Sequence, residues 1–343
     1  MFSRNYMKEL IKKIIITSKG INLFYSFVLR LLNRRSKKEI VKRSQLSIFD
    51  YQGVIEELVL YPADPVVDNN YYGLSYWLQK YIGKKSPLNS YIEHGFILGS
   101  LVKNDTIKWW TPKIITLGAS REDHIKKETA KPVLKIGPYI HYADDFLSDA
   151  EYKSHKQNLG KTLAVFPSHS IKNVKSLFNN NDLISFIESK EADFDSVIIC
   201  LYWRDALNKE LVQSYVNKGY RITSAGHIND INFLSRLKSI IKLSDFAVSN
   251  TVGTQNGYIT YLNKPQMIIA QKIDYNVSKN DTRTFTQRNE DNYNTGVLEM
   301  IEIIEAFDTF SYEITQQQQD VIGKYWGLNE IKSPEEIEKF IKN

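Results

Sequence analysis

Residues 93–95 of this sequence place an acid, an imidazole and a glycine directly after a short apolar run. A histidine near neutral pH can take a proton from a hydroxyl group, and a neighbouring carboxylate can orient or stabilise it. Gly95 permits a sharp turn after a strand, which would leave the two side chains at a sheet edge. We therefore predict that His94 is a catalytic base assisted by Glu93. The alternative is a histidine that only hydrogen-bonds to backbone within the turn.

A second motif, at residues 249–254, suits the binding of an anion. Small hydroxyl residues and a glycine follow the apolar run 246–248, and a helical pattern begins after them. The N–H groups and the positive dipole end at a helix start bind phosphate well. We predict a phosphate site formed by Ser249, Asn250, Thr251, Gly253 and Thr254. The alternative is a plain helix cap made by the hydroxyl of Ser249 or Thr251.

Arg121 lies in the first turn of a predicted helix that follows the small residues 118–120. A cation at this end opposes the helix dipole, so we expect an anionic partner for it. The partner is a ligand in the functional interpretation, and Glu122 or Asp123 in the structural one. We predict that Arg121 belongs to the catalytic site.

Further polar loops follow other strand candidates. Ser168, His169 and Ser170 come after the apolar run 162–166, and His227 comes after the run 220–223. The carboxyl ends of parallel strands meet at one edge of a sheet, so we expect these loops to bind the same ligand. Ordinary structural loops are the alternative. No spacing of His, Cys, Asp or Glu resembles a dedicated metal site, and we expect no metal.

The elements that carry these loops predict an α/β fold. In the second half of the chain, β-branched apolar runs alternate with helical patterns, which is typical of right-handed crossovers and a parallel, Rossmann-like sheet. The strand candidates there are 162–166, 196–201, 220–223, 246–249 and 267–270.

The first half predicts a second, smaller α/β domain, and the polar stretch 149–158 suggests a linker between the two. Its strand candidates are 57–61, 91–92, 113–117 and 133–136. Two such domains would face each other across a cleft, where ligands of these sheets usually bind. The predicted parts of the chain are an N-terminal segment (1–43), two α/β domains (44–155 and 156–310) and C-terminal helices (311–343).

The charge of the chain is unevenly distributed. The 343 residues carry a formal charge of +6 at pH 7. Residues 1–43 hold twelve lysines and arginines against two glutamates, a net charge of +10, so the other 300 residues carry −4. A nucleic-acid groove in the body of the fold is therefore disfavoured. The single cysteine, Cys200, excludes a disulfide framework and fits a reducing compartment.

The N-terminal segment mixes apolar clusters with basic residues, and Lys19 and Arg30 interrupt its apolar runs. None of these runs is long enough to span a bilayer. The combination instead predicts an amphipathic helix lying on an anionic membrane surface. The alternative is a helix that packs on its own domain with a solvated basic face.

Taken together, residues 93–95, 117–121, 166–170 and 249–254 resemble the motifs of bacterial GT-B glycosyltransferases of capsule and O-antigen biosynthesis. The chain also looks distantly similar to teichoic-acid polymerases, whose His-Gly base would match His94. In sialyl- and polysialyltransferases a Ser/Thr pair holds the donor phosphate, and it would match Ser249 and Thr251. The His-Pro dipeptide of the sialyltransferases is missing, because Ser170 follows His169.

This resemblance implies two Rossmann-like domains of the GT-B type and an inverting, metal-independent glycosyl transfer. Residues 44–155 would bind a glycan or lipid-linked acceptor, and residues 156–310 a nucleotide sugar as co-substrate, with no further cofactor. The enzyme would work on the cytoplasmic face of the cell membrane. Two alternatives stay open, namely a nucleotide-sugar epimerase or hydrolase of the same fold and a non-catalytic polysaccharide-assembly protein.

Overall fold

The computed structural model describes residues 14, 17–31, 33–85, 87–103, 106–171, 174–277 and 290–342. Within these residues it contains two parallel sheets, one short antiparallel strand pair and surrounding helices. The predicted α/β class is therefore confirmed. Most of residues 1–18 lie outside the described part, so the predicted amphipathic segment is seen only from its middle onward. None of the described helices is long and apolar enough to cross a bilayer.

The first half of the chain forms a three-stranded parallel sheet with helices around it. Its strands, in spatial order, are β1 (Tyr91–Ile92), β2 (Ile114–Thr116) and β3 (Val133–Lys135). Its helices are α1 (Lys19–Leu31), α2 (Asn33–Ser44), α3 (Tyr51–Ile55), α4 (Leu74–Tyr81), α5 (Ala119–Glu128) and α6 (Asp149–Leu159).

The second half forms a five-stranded parallel sheet and an antiparallel pair. Its strands are β4 (Thr162–Phe166), β5 (Val174–Leu177), β6 (Ser196–Cys200), β7 (Arg221–Thr223), β8 (Phe246–Ser249), β9 (Gln266–Ile268) and β10 (Asp274–Val277). Its helices are α7 (Asn180–Lys190), α8 (Lys209–Val216), α9 (Phe233–Leu243), α10 (Thr254–Tyr261), α11 (Glu290–Ala306), α12 (Gln316–Trp326) and α13 (Pro334–Lys342).

The parallel strands of the second half are ordered β7-β6-β4-β8-β9, and β5 pairs with β10. From the central strand β4 the chain moves outward through β6 and β7, then returns to the other side through β8 and β9. Such a reversal creates a crevice at the carboxyl ends of the two central strands. Every residue of β4 and β8 is buried, as expected for strands covered on both faces.

One hydrophobic core cluster runs through both parallel sheets. It joins Ile92 and Ile115 of the first sheet to Ala164 and Phe166 on one face of β4. The alternate residues of β4, such as Leu163, belong to a second cluster on the opposite face. The two sheets therefore share apolar contacts, and the division into domains stays a prediction.

One strand predicted for the first half is absent. Residues 57–61 form an irregular loop rather than a strand. The polar stretch 149–158, predicted as a linker, is helical and lies in α6. A capping box begins this helix, since the Ser148 hydroxyl accepts the N–H of Glu151 and the Glu151 carboxylate accepts the N–H of Ser148. The domain boundary predicted at 155/156 therefore falls inside a helix.

The C-terminal helices return to the first sheet. Gly118, just before α5, lies so close to the end of α12 that an added Cβ would be 2.8 Å from the nitrogen of Gly327. The Lys113 ammonium, beside β2, donates to the carbonyl oxygen of Phe340 in α13. The helices predicted for 311–343 are therefore present, and they cover the N-terminal half of the molecule.

Trp326, at the end of α12, joins the two halves. Its buried indole lies against Gly257 of α10, where an added Cβ would come within 2.1 Å of the ring. The ring of Phe96, in the loop after β1, stacks on the same indole with 3.9 Å between ring centroids. A side chain at position 257 would therefore displace a contact on which both halves depend.

We expect Gly257→Ala to lower the free energy of unfolding by about 1–3 kcal/mol, because a methyl group overpacks the indole. Urea denaturation measures the change. Gly323→Ala in α12 is the matched control, since nothing lies within 4 Å of its added Cβ. Alanine there should be neutral or stabilise by up to about 1 kcal/mol. Equal stability of the two variants would contradict the packing described.

Candidate active site

A cavity of about 270 Å³ lies at the carboxyl edge of the second sheet. It occupies the crevice between β4 and β8, whose last residues Phe166 and Ser249 are paired. His169 contributes from the loop after β4, and Gly253 and Thr254 contribute from the start of α10. Three of the residues predicted for donor binding are therefore brought together at one cavity.

The first half of the chain closes this cavity through the loop that follows β1. Gly95 and Phe96 line it, and the backbone N–H of Phe96 donates to Oγ1 of Thr254 at 2.8 Å. Gly95 has a φ of +80°, a left-handed conformation that favours glycine. The predicted base motif and the predicted phosphate motif therefore meet directly.

Aromatic rings form much of the cavity wall. Tyr72, Phe96, Tyr202 and Tyr258 line it, and the hydroxyl groups of Tyr72 and Tyr202 hydrogen-bond to each other. Tyr72 itself has a positive φ of 59°, which is uncommon for a bulky residue and is often retained at functional sites. No sequence motif predicts these rings as a group, because they come from distant segments of the chain.

The imidazole of His94 is packed beside this cavity, next to the lining residues Tyr72 and Gly95. Its ring meets the ring of Tyr71 edge to face at a centroid distance of 5.3 Å. Its Nδ1 atom is buried and has no hydrogen-bond partner. Burial lowers the pKa of His94 to about 4, although the Asp68 carboxylate acts in the opposite direction. The imidazole is therefore neutral at physiological pH, the form that can accept a proton.

Glu93 and Arg121 form a buried, two-pronged ion pair. Arg121 Nη2 lies 2.6 Å from Glu93 Oε1, and Arg121 Nε lies 3.0 Å from Glu93 Oε2. The hydroxyl of Thr116 donates to the same carboxylate at 2.9 Å. Arg121 also donates to the carbonyl oxygens of Gly99 and Leu101. These contacts hold the loop after β1 in place, and they favour a positioning role for both residues over the predicted catalytic one.

The alternative prediction, that Arg121 pairs with Glu122 or Asp123, is wrong, because its partner is Glu93. Glu122 pairs with Lys126 at 2.6 Å and with Lys135 at 3.0 Å. The Arg121 charge that opposes the dipole at the start of α5 is instead neutralised by Glu93, the first residue after β1.

Ser249 and Asn250 are buried and hydrogen-bonded within the fold. The Ser249 hydroxyl accepts a hydrogen bond from Asn256 Nδ2 at 2.8 Å. Asn250 Oδ1 accepts the N–H of Ser168 at 2.6 Å, and its Nδ2 donates to Gln271. Thr251 is half-buried in the turn between them and α10. These contacts favour a structural role for Ser249 and Asn250 over the predicted binding of phosphate.

The other predicted loop residues, Ser168, Ser170 and His227, do not line the cavity. Ser168 is buried and its hydroxyl lies 2.7 Å from that of Ser176. The Ser170 hydroxyl accepts a hydrogen bond from the N–H of Ser176, and the N–H of Ser170 donates to the Asp205 carboxylate. The buried His227 accepts the N–H of Asn229 on Nδ1, and burial lowers its pKa to about 4. Their contacts fit loop architecture better than donor binding.

Cys200, at the end of β6, also lines the cavity. Burial raises the pKa of its thiol to about 12, so it is protonated at neutral pH and a poor nucleophile. Its part in the cavity is that of a small apolar wall residue.

No protein-family model and no curated protein matches the chain. Among solved structures it is similar to the wall teichoic acid polymerase TagF, with 13% sequence identity, a TM-score of 0.41, and coverage of 74% of this chain and 66% of that chain. A second TagF structure gives 14% identity, a TM-score of 0.39, and coverage of 74% and 69%.

The chain is also similar to UDP-GlcNAc 2-epimerase from Neisseria meningitidis bound to UDP-GlcNAc. The identity is 13% and the TM-score 0.38, over 90% of this chain and 81% of that chain. Because all three TM-scores are low, the α/β assignment rests on the sheets themselves.

Arg121→Met should cost about 3–5 kcal/mol of unfolding free energy, because it leaves the Glu93 carboxylate buried without its cation. Chemical denaturation measures this loss. Lys80→Met is the control, since Lys80 pairs with Asp144 on the surface and its loss should cost less than about 1 kcal/mol. The double variant Glu93→Gln/Arg121→Met should recover part of the loss. Strictly additive effects would contradict the coupling of the pair.

Proposed function

We propose that this protein is a glycosyltransferase that moves a sugar from a nucleotide-sugar donor to a glycan or lipid-linked acceptor. The observation that carries this proposal is the hydrogen bond from Phe96 N–H to Thr254 Oγ1 at the rim of one cavity. It supports the proposal because Gly95, the neighbour of His94, and Thr254, at the N-terminus of α10, line the same cavity. Group transfer from a phosphate needs a base and an anion-stabilising group in that relation.

The donor phosphates fit best at the start of α10. The first N–H groups of any α-helix lack partners within the helix, and its dipole places partial positive charge there. Gly253 N–H is already bound by Asn256 Oδ1, so the N–H groups of Thr254 and Gln255 are the proposed donors to phosphate. The aromatic wall formed by Tyr72, Tyr202 and Tyr258 would hold the flat, less polar parts of the donor.

His94 is the proposed base. It takes the proton from an acceptor hydroxyl as that oxygen bonds to the anomeric carbon of the donor sugar. The bond from this carbon to the phosphate oxygen breaks, and its electron pair leaves with the nucleotide. Direct displacement of this kind inverts the anomeric centre. The nearby Asp68 carboxylate, which pairs with Lys108 at 2.6 Å, favours the protonated imidazole electrostatically.

We also propose that the acceptor belongs to a surface polysaccharide and that transfer takes place on the cytoplasmic face of the cell membrane. The net charge of +10 in residues 1–43 supports this location, because the rest of the chain carries −4. A basic N-terminal segment on a mildly acidic body is suited to a surface of anionic lipid.

Donor binding and the base can be tested together. A thermal-shift screen with UDP-, GDP-, CMP- and dTDP-sugars identifies the donor, because a bound ligand raises the melting temperature. With that donor and an acceptor extract, His94→Ala should lower kcat by about 10²–10⁴-fold and leave the donor-induced shift intact.

The control for this variant is His155→Ala in α6, which should transfer sugar at the wild-type rate. Full activity of His94→Ala would exclude the proposed base. Release of free sugar without an acceptor would point to the hydrolase instead, and the absence of any donor-induced shift would contradict glycosyl transfer.

The pH profile of kcat/KM gives a separate prediction. Because the pKa of His94 is lowered to about 4, its neutral form should persist well below the usual histidine range. Activity should therefore be kept down to about pH 5, whereas a histidine with a pKa of about 6.5 would lose most of it there. A profile with an acid limb near 6.5 would contradict the burial of this base.

The same depressed pKa affects folding. An unfolded chain binds the proton first, so stability falls as the pH drops from about 6.5 towards 4. Circular dichroism at each pH separates this loss of fold from loss of activity.

A further inference from the structure

Helix α1 is oriented with its polar side inward and its apolar side outward. Asn22, Ser26 and Leu29 are buried and recur on one face. Phe24, Phe27 and Leu31 recur on the opposite face, and they are 67%, 56% and 65% exposed. A surface helix in water normally shows the reverse pattern.

Contacts with the body of the protein fix this orientation. The Ser26 hydroxyl donates to the carbonyl oxygen of Pro65 at 2.8 Å. Leu29 packs in a small cluster with Leu60, Val67 and Tyr71. The opposite, apolar face is therefore turned outward by the fold itself and not by chance rotation of an isolated helix.

Trp109 extends the apolar surface. It is 77% exposed, and its indole Nε1 donates to the carbonyl oxygen of Thr17 at 3.1 Å, just before α1. Tryptophan is enriched at the boundary between lipid and water, where its ring is apolar and its N–H polar. The residue is thus anchored beside the helix while most of its ring stays uncovered.

The next helix adds positive charge. Lys37, Lys38 and Lys42 of α2 are exposed, and residues 1–43 carry a net charge of +10. Basic residues beside an apolar helix face are drawn to anionic lipid headgroups. A second copy of this chain would bring the same positive charge to the interface, so charge complementarity favours lipid.

We propose that the outward face of α1, made by Phe24, Phe27 and Leu31 together with Trp109, inserts into the headgroup region of an anionic bilayer. The helix then lies in the membrane plane without crossing it. On the inner side of the helix, Leu29 packs in a cluster with Tyr71, and the ring of Tyr71 packs on His94. If the proposed function holds, the acceptor is therefore taken from the membrane surface next to the base.

Sedimentation with lipid vesicles tests the docking face in the absence of any sugar donor. Wild-type protein should sediment with vesicles of phosphatidylcholine and phosphatidylglycerol, and much less with phosphatidylcholine alone. Phe24→Ser/Phe27→Ser should weaken binding at least about tenfold. Lys38→Ser/Lys42→Ser should weaken binding about tenfold, and only on the anionic vesicles. A higher salt concentration should also weaken the binding of the wild type to these vesicles.

Leu207→Ser is the matched control, because Leu207 is 59% exposed and lies in the second half of the chain. It should sediment like wild type. An equal loss in this control, or no vesicle binding by the wild type, would overturn the proposal. The proposal would also be overturned if Phe24→Ser/Phe27→Ser bound vesicles normally but was a monomer where the wild type is a dimer, as measured by sedimentation velocity. Glycosyl transfer is judged by the donor assay, so the two proposals can fail separately.

Discussion

The arrangement of the site depends on one buried ion pair. Glu93 and Arg121 are removed from water, which is costly for two charges unless both are well hydrogen-bonded. Here the Glu93 carboxylate also accepts a hydrogen bond from the Thr116 hydroxyl. The Arg121 guanidinium also donates to two carbonyl oxygens of the loop after β1. Glu299 of α11 accepts the N–H of Gly99 in the same loop at 2.6 Å. The backbone on each side of the His94 loop is thereby fixed, so the imidazole keeps its position beside the cavity.

The cavity combines an apolar wall with the positive end of a helix. Low polarity around an anion strengthens its attraction to backbone N–H groups, because little water screens them. This matters for a body whose 300 residues beyond the first 43 carry −4. A net negative charge on this part of the chain does not favour long-range attraction of a negatively charged donor. Affinity must come from short-range contacts at Thr254 and from the surrounding aromatic rings.

Sequence patterns predicted the central strands well and the long-range contacts poorly. The apolar runs at 162–166 and 246–249 predict the first and last residues of β4 and β8 correctly. A strand buried on both faces shows as a continuous apolar run, so its ends are easy to recognise. The antiparallel pair β5 and β10 has no continuous apolar run to predict it, because each strand has only four residues and mixes polar with apolar side chains. His94 and Thr254 were found from local motifs. The partner of Arg121 and the ring of Tyr72 come from distant segments, and no local pattern encodes them.

The cavity wall also contains the chain's single thiol. Cys200 is buried, and the raised pKa of its side chain keeps it protonated near neutral pH. A cysteine introduced on the surface would therefore react with a thiol-directed dye well before the native one does. Donor and acceptor dyes can therefore be attached to cysteines introduced at chosen positions of the two halves, without first replacing Cys200. The wild-type background itself thus permits distance measurements across the cavity while a ligand is bound.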